Sequence, residues 1–258
     1  MLEVTIMAQT ICIANQKGGV GKTTTAINLS ASLAVSEKRT LLVDCDPQGN
    51  ATTGIGLDKA NLEKTLYHGM IGKATANGLI VDSEIDSLKV IPSRLELIGF
   101  EVEMMSKPGR EMVLKNLLAE VKNSFEYIII DCPPSLSLLT VNALTAADRM
   151  LIPLQCEFYA LEGLGQLLRT VKLIKRGPNP GLKISGILLT MFDKRTNLSH
   201  QVAEDAAKYF KNLVFETTVP RNVRLGEAPS FGKPILLYDA GSAGAKSYFD
   251  LAVEIMAS

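Results

Sequence analysis

Seven short runs of apolar, largely β-branched residues recur along this chain, at 10–14, 40–44, 88–91, 127–131, 150–154, 184–190 and 214–219. Between them lie stretches of helical period, at about 23–36, 94–105, 110–123, 136–147, 160–175, 198–211 and 243–256. Each run is apolar on both faces, and a strand carries that pattern only when helices cover its sheet above and below. The alternation therefore predicts an α/β fold: a single doubly wound, mostly parallel sheet with helices on both faces. In such sheets ligands collect beyond the carboxyl ends of the strands. Residues 1–8 read as a short N-terminal extension and 9–258 as one domain, while 54–87 is weakly patterned and its elements are not assigned.

Composition narrows the class. With 258 residues, 47% of them apolar, and a net charge of zero, the chain has the material for a folded core, which excludes disordered and fibrous classes. No apolar run approaches the roughly 20 residues that span a bilayer, and the N-terminus lacks a signal-peptide pattern, so the expectation is a cytoplasmic protein. Cys12, Cys45, Cys132 and Cys156 are widely spaced without a CxxC pair and read as reduced thiols.

The first strand runs into Lys17-Gly18-Gly19-Val20-Gly21-Lys22-Thr23-Thr24, and a helix follows. Glycines in such a loop let successive N–H groups turn toward phosphate oxygens, and the helix N-terminus adds the positive end of its dipole. Lys22 is placed to neutralise the β- and γ-phosphates and the Thr23 hydroxyl to ligate Mg²⁺, so a nucleoside triphosphate is the expected ligand. The strict G-x-x-x-x-G-K-[ST] pattern fails, because Gln16 stands where its first glycine belongs.

Two further strands end in acids. The second closes on Asp44-Cys45-Asp46-Pro47-Gln48-Gly49, and the fourth on Asp131-Cys132-Pro133-Pro134. Phosphoryl transfer to water needs a positioned nucleophile more than covalent help, and an aspartate beside the γ-phosphate can orient it. Pro47 and Gly49 make a turn able to move when the phosphate leaves. Asp131 suits holding Mg²⁺ through a water. The structural alternatives are an Asx turn at Asp44–Asp46 and, for a hydrophobic run ending in an acid such as Asp131, a plain helix cap.

The loops after 190 and 219 reach the same sheet edge and are placed to hold the base; no N-K-x-D guanine-reading motif is present, which favours ATP. Residues 161–233 also carry 12 Lys/Arg against 6 Asp/Glu. Arg195, Arg221, Arg224, Lys194 and Lys233 account for much of that excess. Cations on one surface neutralise DNA phosphates without reading bases.

The loop K-G-G-x-G-K-T-T resembles the deviant phosphate loop of the ParA, MinD and nitrogenase iron-protein group, whose signature is the extra lysine, here Lys17. The segments V-D-C-D-P-Q-G-N-A-T, I-D-C-P-P-S-L, C-E-F-Y-A-L-E-G-L and P-R-N-V-R-L-G-E-A-P-S-F-G-K-P extend the similarity to the ParA/Soj chromosome-partitioning ATPases. That resemblance implies a slow Mg·ATP hydrolase in which Asp46 positions water and Asp44 organises the Mg²⁺ and phosphate-loop shell. It assigns adenine to Pro220 and Asn222, and DNA contacts above all to Arg195 and Arg224. It further implies an ATP-dependent homodimer in which Lys17 reaches the partner's phosphates, nonspecific double-stranded DNA as ligand, nucleoid association, and a ParB/Spo0J-like centromere-binding protein that stimulates hydrolysis. Cys12, Cys45 and Lys194 depart from the family pattern as neutral variation. A MinD-like membrane regulator would want a basic amphipathic C-terminal helix, whereas this C-terminus is acidic. An iron-protein-like reductase would want a second cysteine to accompany Cys132.

Overall fold

The computed structural model describes residues 8–157 and 162–258. The expected extension therefore lies, Ala8 apart, outside the described residues, as do 158–161 within the C-E-F-Y-A-L-E-G-L segment.

In chain order the elements are β1 (Gln9–Ile13), α1 (Lys22–Val35), β2 (Thr40–Asp44), α2 (Asn50–Gly54), α3 (Leu66–Met70), β3 (Val81–Asp82), β4 (Leu88–Ile91), α4 (Ile98–Glu103), α5 (Val113–Ala119), β5 (Tyr127–Asp131), α6 (Leu138–Ala146), β6 (Arg149–Gln155), α7 (Glu162–Arg176), β7 (Lys183–Phe192), α8 (Asn197–Phe210), β8 (Val214–Pro220), α9 (Val223–Glu227), α10 (Ile235–Tyr238) and α11 (Ala243–Met256). The eight strands form one sheet in the order β3-β4-β2-β5-β1-β6-β7-β8. All neighbours are parallel except β3, which pairs antiparallel to β4 at the edge. The expected doubly wound sheet is thus present.

The two-faced apolar pattern of the strands has a direct structural cause. In β5, Ile128 and Ile130 join the core under α5, α6 and α7, while Ile129 between them joins the core under α1 and α11. All three are fully buried. Burying each such side chain is worth about 1.5–3 kcal/mol.

Differences from the sequence reading fall where local signals are weak. The segment 54–87 contains the one-turn helix α3 and the two-residue strand β3, too short to show a period. The helix expected over 94–105 begins as a 3₁₀ turn at Leu95–Leu97 and continues as α4, and that over 110–123 shortens to a 3₁₀ turn followed by α5. Two short helices, α9 and α10, occupy 223–238, which carried no helical assignment.

Candidate nucleotide site and basic rim

Strand register brings the phosphate loop and two of the acids together. Ile13, the last residue of β1, pairs with Asp131 on β5, and Asp44 of β2 pairs with the same residue from the other side. The loop leaving β1 therefore rises from the same row that ends in Asp44 and Asp131. Gly19 and Gly21 adopt φ of 73° and 87°, in the left-handed region that glycine reaches without steric cost. Gly21 is also the residue before α1, which starts with no side-chain cap. Its first N–H groups are thus left to a ligand rather than satisfied locally.

Gly18, Gly19, Gly21, Lys22, Thr23, Thr24 and Asp46 line a cavity of about 280 Å³, with Asn50, Pro134 and Met191 closing it. Lys22 is buried, and its Nζ donates to the Lys17 carbonyl at 2.8 Å. Burial lowers its pKa, an effect that the nearby Asp131 and Asp46 partly oppose. Val20 points away into the core, and its carbonyl accepts from the Thr190 hydroxyl at 2.9 Å, tying the loop to the end of β7. Lys17 is half-exposed, with its Nζ 3.7 Å from Glu157 of the same chain.

The three acids differ in their surroundings. Asp44 is buried and fully engaged: one oxygen accepts from the Thr52 N–H and the Thr52 hydroxyl, both at 2.7 Å, and the other from the Asp46 N–H at 3.1 Å. The Thr52 hydroxyl in turn accepts from the Ser93 N–H at 2.9 Å, which couples α2 to the end of β4. Asp46 caps its own turn by accepting from the Gln48 N–H at 2.9 Å, and Lys59 donates to the Gln48 carbonyl at 2.9 Å. Asp131 is buried with neither oxygen in a well-formed hydrogen bond, although the Thr23 hydroxyl stands beside it. Burial pushes the pKa of both Asp44 and Asp131 upward, against the Thr52 and Asp46 hydrogen bonds at Asp44 and with the added charge of Asp44 at Asp131.

An unpartnered buried carboxylate beside a threonine hydroxyl fits Mg²⁺, since a cation there would favour the ionised acids that burial disfavours. Among the described residues no cluster of three or more His, Cys, Asp or Glu could hold a metal alone. Mg²⁺ keeps waters and shares its ligands with phosphates, so a threonine hydroxyl and an acid behind a water can be its protein donors.

A second cavity of about 370 Å³ adjoins the first, the two sharing Gly21, Thr24 and Met191. Its wall is mostly apolar, with Val219, Pro220, Asn222, Val223 and Leu225 on one side and Tyr248 of α11 among the others. Pro220 and Asn222 thus both face the space where a base would stack. Asn222 also caps α9, its side-chain oxygen accepting from the Arg224 N–H at 2.9 Å, which commits that oxygen and leaves the NH₂. Tyr248 is buried and its hydroxyl lies 3.2 Å from that of Thr25 on α1.

Arg221 lines this second cavity and, with Lys194 and Arg195, a groove next to it, whereas Lys233 lines neither and stands by Glu84 just after the edge strand β3; several of these cations are already paired. Arg195 forks onto Asp193, Nε to Oδ1 at 2.9 Å and Nη2 to Oδ2 at 2.7 Å. Arg224 pairs with Glu227 at 3.0 Å and Asp239 at 3.5 Å. Lys233 lies 3.8 Å from Glu84. Lys194, Arg195 and Arg221 line a groove of about 570 Å³ together with Lys246 of α11. Sequence reasoning missed Thr52, Asn50, Tyr248 and Lys246. Thr52 and Asn50 stand inside the D-P-Q-G-N-A-T segment, whereas nothing local marks two residues of a closing helix as facing a site at the other end of the chain.

A strand, a glycine loop opening a helix, a buried lysine and acids on the neighbouring strand ends define a phosphate-loop nucleotide hydrolase of the α/β class. Residues 8–184 match the family described as AAA domain. The chain is 57% identical over 246 residues to the chromosome partitioning protein ParA of Myxococcus xanthus, covering 95% of this chain and 87% of that one. It is 55% identical over 252 residues to the sporulation initiation inhibitor protein Soj of Bacillus subtilis, covering 98% and 100%. Among solved structures, cobyrinic acid a,c-diamide synthase of Mycobacterium smegmatis with bound ADP and magnesium superimposes with a TM-score of 0.86 at 36% identity, covering 97% of this chain and 94% of that one. The chain belongs to the ParA/Soj family of chromosome-partitioning ATPases.

Proposed function

We propose that this ATPase is a DNA-partitioning switch: Mg·ATP joins two copies face to face, the pair holds nonspecific double-stranded DNA, and hydrolysis releases it. The observation that carries the reading is the adjacency, along one sheet edge, of a phosphate cavity, an apolar cavity and a cationic rim.

In this reading Gly18, Gly19, Gly21, Thr23 and Thr24 offer backbone N–H groups to the phosphates, and Lys22 leaves the Lys17 carbonyl to neutralise them. Pro220 and Asn222 hold adenine against Tyr248. Thr23, with Asp131 through a water and Asp44 behind it, would hold Mg²⁺, which when bound supplies neutralising charge at the β- and γ-phosphates. Asp46 orients the attacking water. Lys17 completes the partner's site, giving up its contact with Glu157; an exposed pair at 3.7 Å is worth little and is readily exchanged. Arg195, Arg224, Arg221, Lys194 and Lys233 then contact DNA phosphates, and doubling them in a dimer raises affinity through avidity. The proposed location is the cytoplasm, on the nucleoid, with a ParB-like centromere-binding protein stimulating turnover. No helix among the described residues is long and apolar enough to cross a membrane.

The test is retention of a random-sequence duplex at moderate salt. ATP-loaded protein is expected to hold DNA and ADP-loaded protein to release it. Equal retention in the two states would end the switch reading.

A further inference from the structure

The groove lined by Lys194, Arg195, Arg221 and Lys246 also contains two acids, Asp193 and Asp250. They are not equivalent. Asp193 grips Arg195 with both oxygens, at 2.9 and 2.7 Å, and also accepts the Arg195 backbone N–H at 3.0 Å. Two parallel N–H···O contacts from one guanidinium are the geometry arginine uses on a phosphate diester. The arginine side chain is 87% exposed and the carboxylate 18% exposed, so the anion sits on the groove wall and the cation lies over it toward solvent. Backbone contacts fix the carboxylate's position: the Asp193 N–H donates to the Ser199 hydroxyl at 3.2 Å, and the Asp193 carbonyl accepts from the Thr196 N–H at 3.1 Å. An acid held on the wall by its own turn, and forked onto a largely exposed arginine of the rim, occupies the place a phosphate would take.

We infer that Asp193 is a built-in competitor of DNA phosphate for Arg195, lowering the affinity of a single copy so that only a pair of copies holds DNA. This rests on the DNA-binding reading above. A phosphate reaching Arg195 must replace a preformed fork, so one arginine gains little from it, whereas two rims acting together still sum to a useful affinity. Freeing the arginine should therefore raise DNA binding most where the copies are separate, and blunt the difference between nucleotide states. The Arg195 side-chain hydrogen bonds, first, hold the Asp193 carboxyl well below the usual carboxylate range, which keeps it ionised while the fork stands.

The test compares full-length protein carrying Asp193→Asn, Asp250→Asn, Arg195→Ala, and Asp193→Asn with Arg195→Ala, in equilibrium binding to a random-sequence duplex with ADP and with ATP. Asparagine keeps an oxygen for the Arg195 N–H, so the turn is retained, and thermal melts check the fold. If Asp193→Asn nonetheless lowers the melting temperature, Asp193→Ser, which keeps a shorter acceptor, replaces it in the same comparison. Asp250→Asn adds the same unit of charge in the same groove without releasing a forked arginine. Expected are a gain of roughly fivefold for Asp193→Asn, greater with ADP than with ATP, less than twofold for Asp250→Asn, and no gain for Asp193→Asn in the Arg195→Ala background. A gain equal to that of Asp250→Asn, or one that survives loss of Arg195, overturns the inference while leaving the DNA reading intact. An Arg195→Ala protein that holds DNA with ATP as the parent does overturns the inference, whereas the DNA reading itself fails only if ADP- and ATP-loaded parent protein bind the duplex alike.

Discussion

The phosphate cavity and the basic rim are a few residues apart along the same sheet edge, yet they are built in opposite ways. At the phosphate cavity the charged groups are buried, come from three adjacent strand ends, and are fixed by a relay of contacts, Asp44 held by Thr52 of the next helix and Thr52 in turn by the distant Ser93. At the rim the charged groups are exposed and their shortest ion pairs are local, Asp193–Arg195 and Arg224–Glu227 lying two and three residues apart, with a longer contact from Arg224 to Asp239. A buried lysine or carboxylate is costly unless something compensates it, so the first region is organised to receive a particular ligand. An exposed local pair costs little and is worth little, so the second suits a ligand that comes and goes.

This contrast is best broken by removing one cation from each region. Lys22→Met keeps the stem of the side chain and deletes the charge. It is expected to weaken ATP binding roughly 100-fold, or about 3 kcal/mol, measured by fluorescent-nucleotide titration. Lys194→Met at the rim should leave nucleotide affinity within about twofold. Comparable losses from both would mean that the two regions are not distinct. Next in size is Asp46→Asn. Removing the group that orients water should reduce turnover on the order of 10²-fold with ATP affinity nearly unchanged, and should prolong DNA retention after ATP loading. A variant that hydrolyses at the parent rate would remove Asp46 from that role.

How much of this could be read from sequence follows the same divide. The phosphate loop, Asp44, Asp46 and Asp131 were legible because each sits at the end of a run whose β pattern is unambiguous, and strand ends converge by topology. The rim's positive charges were legible as well, from simple counting. Their pairing was not, because a charge count does not reveal whether Asp193 turns toward Arg195 or toward water. Nor was the bracing of the Asp46 turn by Lys59, which lies in the unpatterned 54–87 stretch and acts through a backbone carbonyl. Tyr248 escaped for a further reason: an aromatic on a closing helix fits the ordinary core pattern, and only the tertiary fold places it against α1 and the apolar cavity.

Backbone substitutions sharpen the comparison at smaller amplitude. Gly49 follows the Asp46 turn with φ 63°, and a Cβ there would stand 2.7 Å from the Ser93 carbonyl oxygen and 2.9 Å from Lys59 Cδ. Gly49→Ala is therefore expected to cost about 1–3 kcal/mol and lower Tm by roughly 2–8 °C. Gly226 lies within α9 with open space around its missing Cβ and no positive φ. Gly226→Ala should be neutral or stabilise by up to about 1 kcal/mol. Thermal melts of the two proteins check both expectations, and a stable Gly49→Ala would show the Asp46 turn to be looser than its contacts imply.

The smallest expected effect is electrostatic and concerns the Asp193–Arg195 pair alone. The Arg195 hydrogen bonds hold the Asp193 carboxyl well below the ordinary carboxylate range in the folded protein. A depressed folded-state pKa contributes stability that is present above the unfolded-state value and fades as pH falls from there toward the folded-state value. Because the pair faces solvent, that contribution is too small to dominate an acid unfolding curve. The titration itself is the better measurement: side-chain carboxyl chemical shifts followed down in pH should show Asp193 still ionised after the exposed carboxylates have taken up their protons. In Arg195→Ala the same resonance should return to the ordinary range. A carboxyl at Asp193 that titrates with the rest in the parent protein would mean that the fork does not persist in solution, and the rim would then be a set of free cations rather than paired ones.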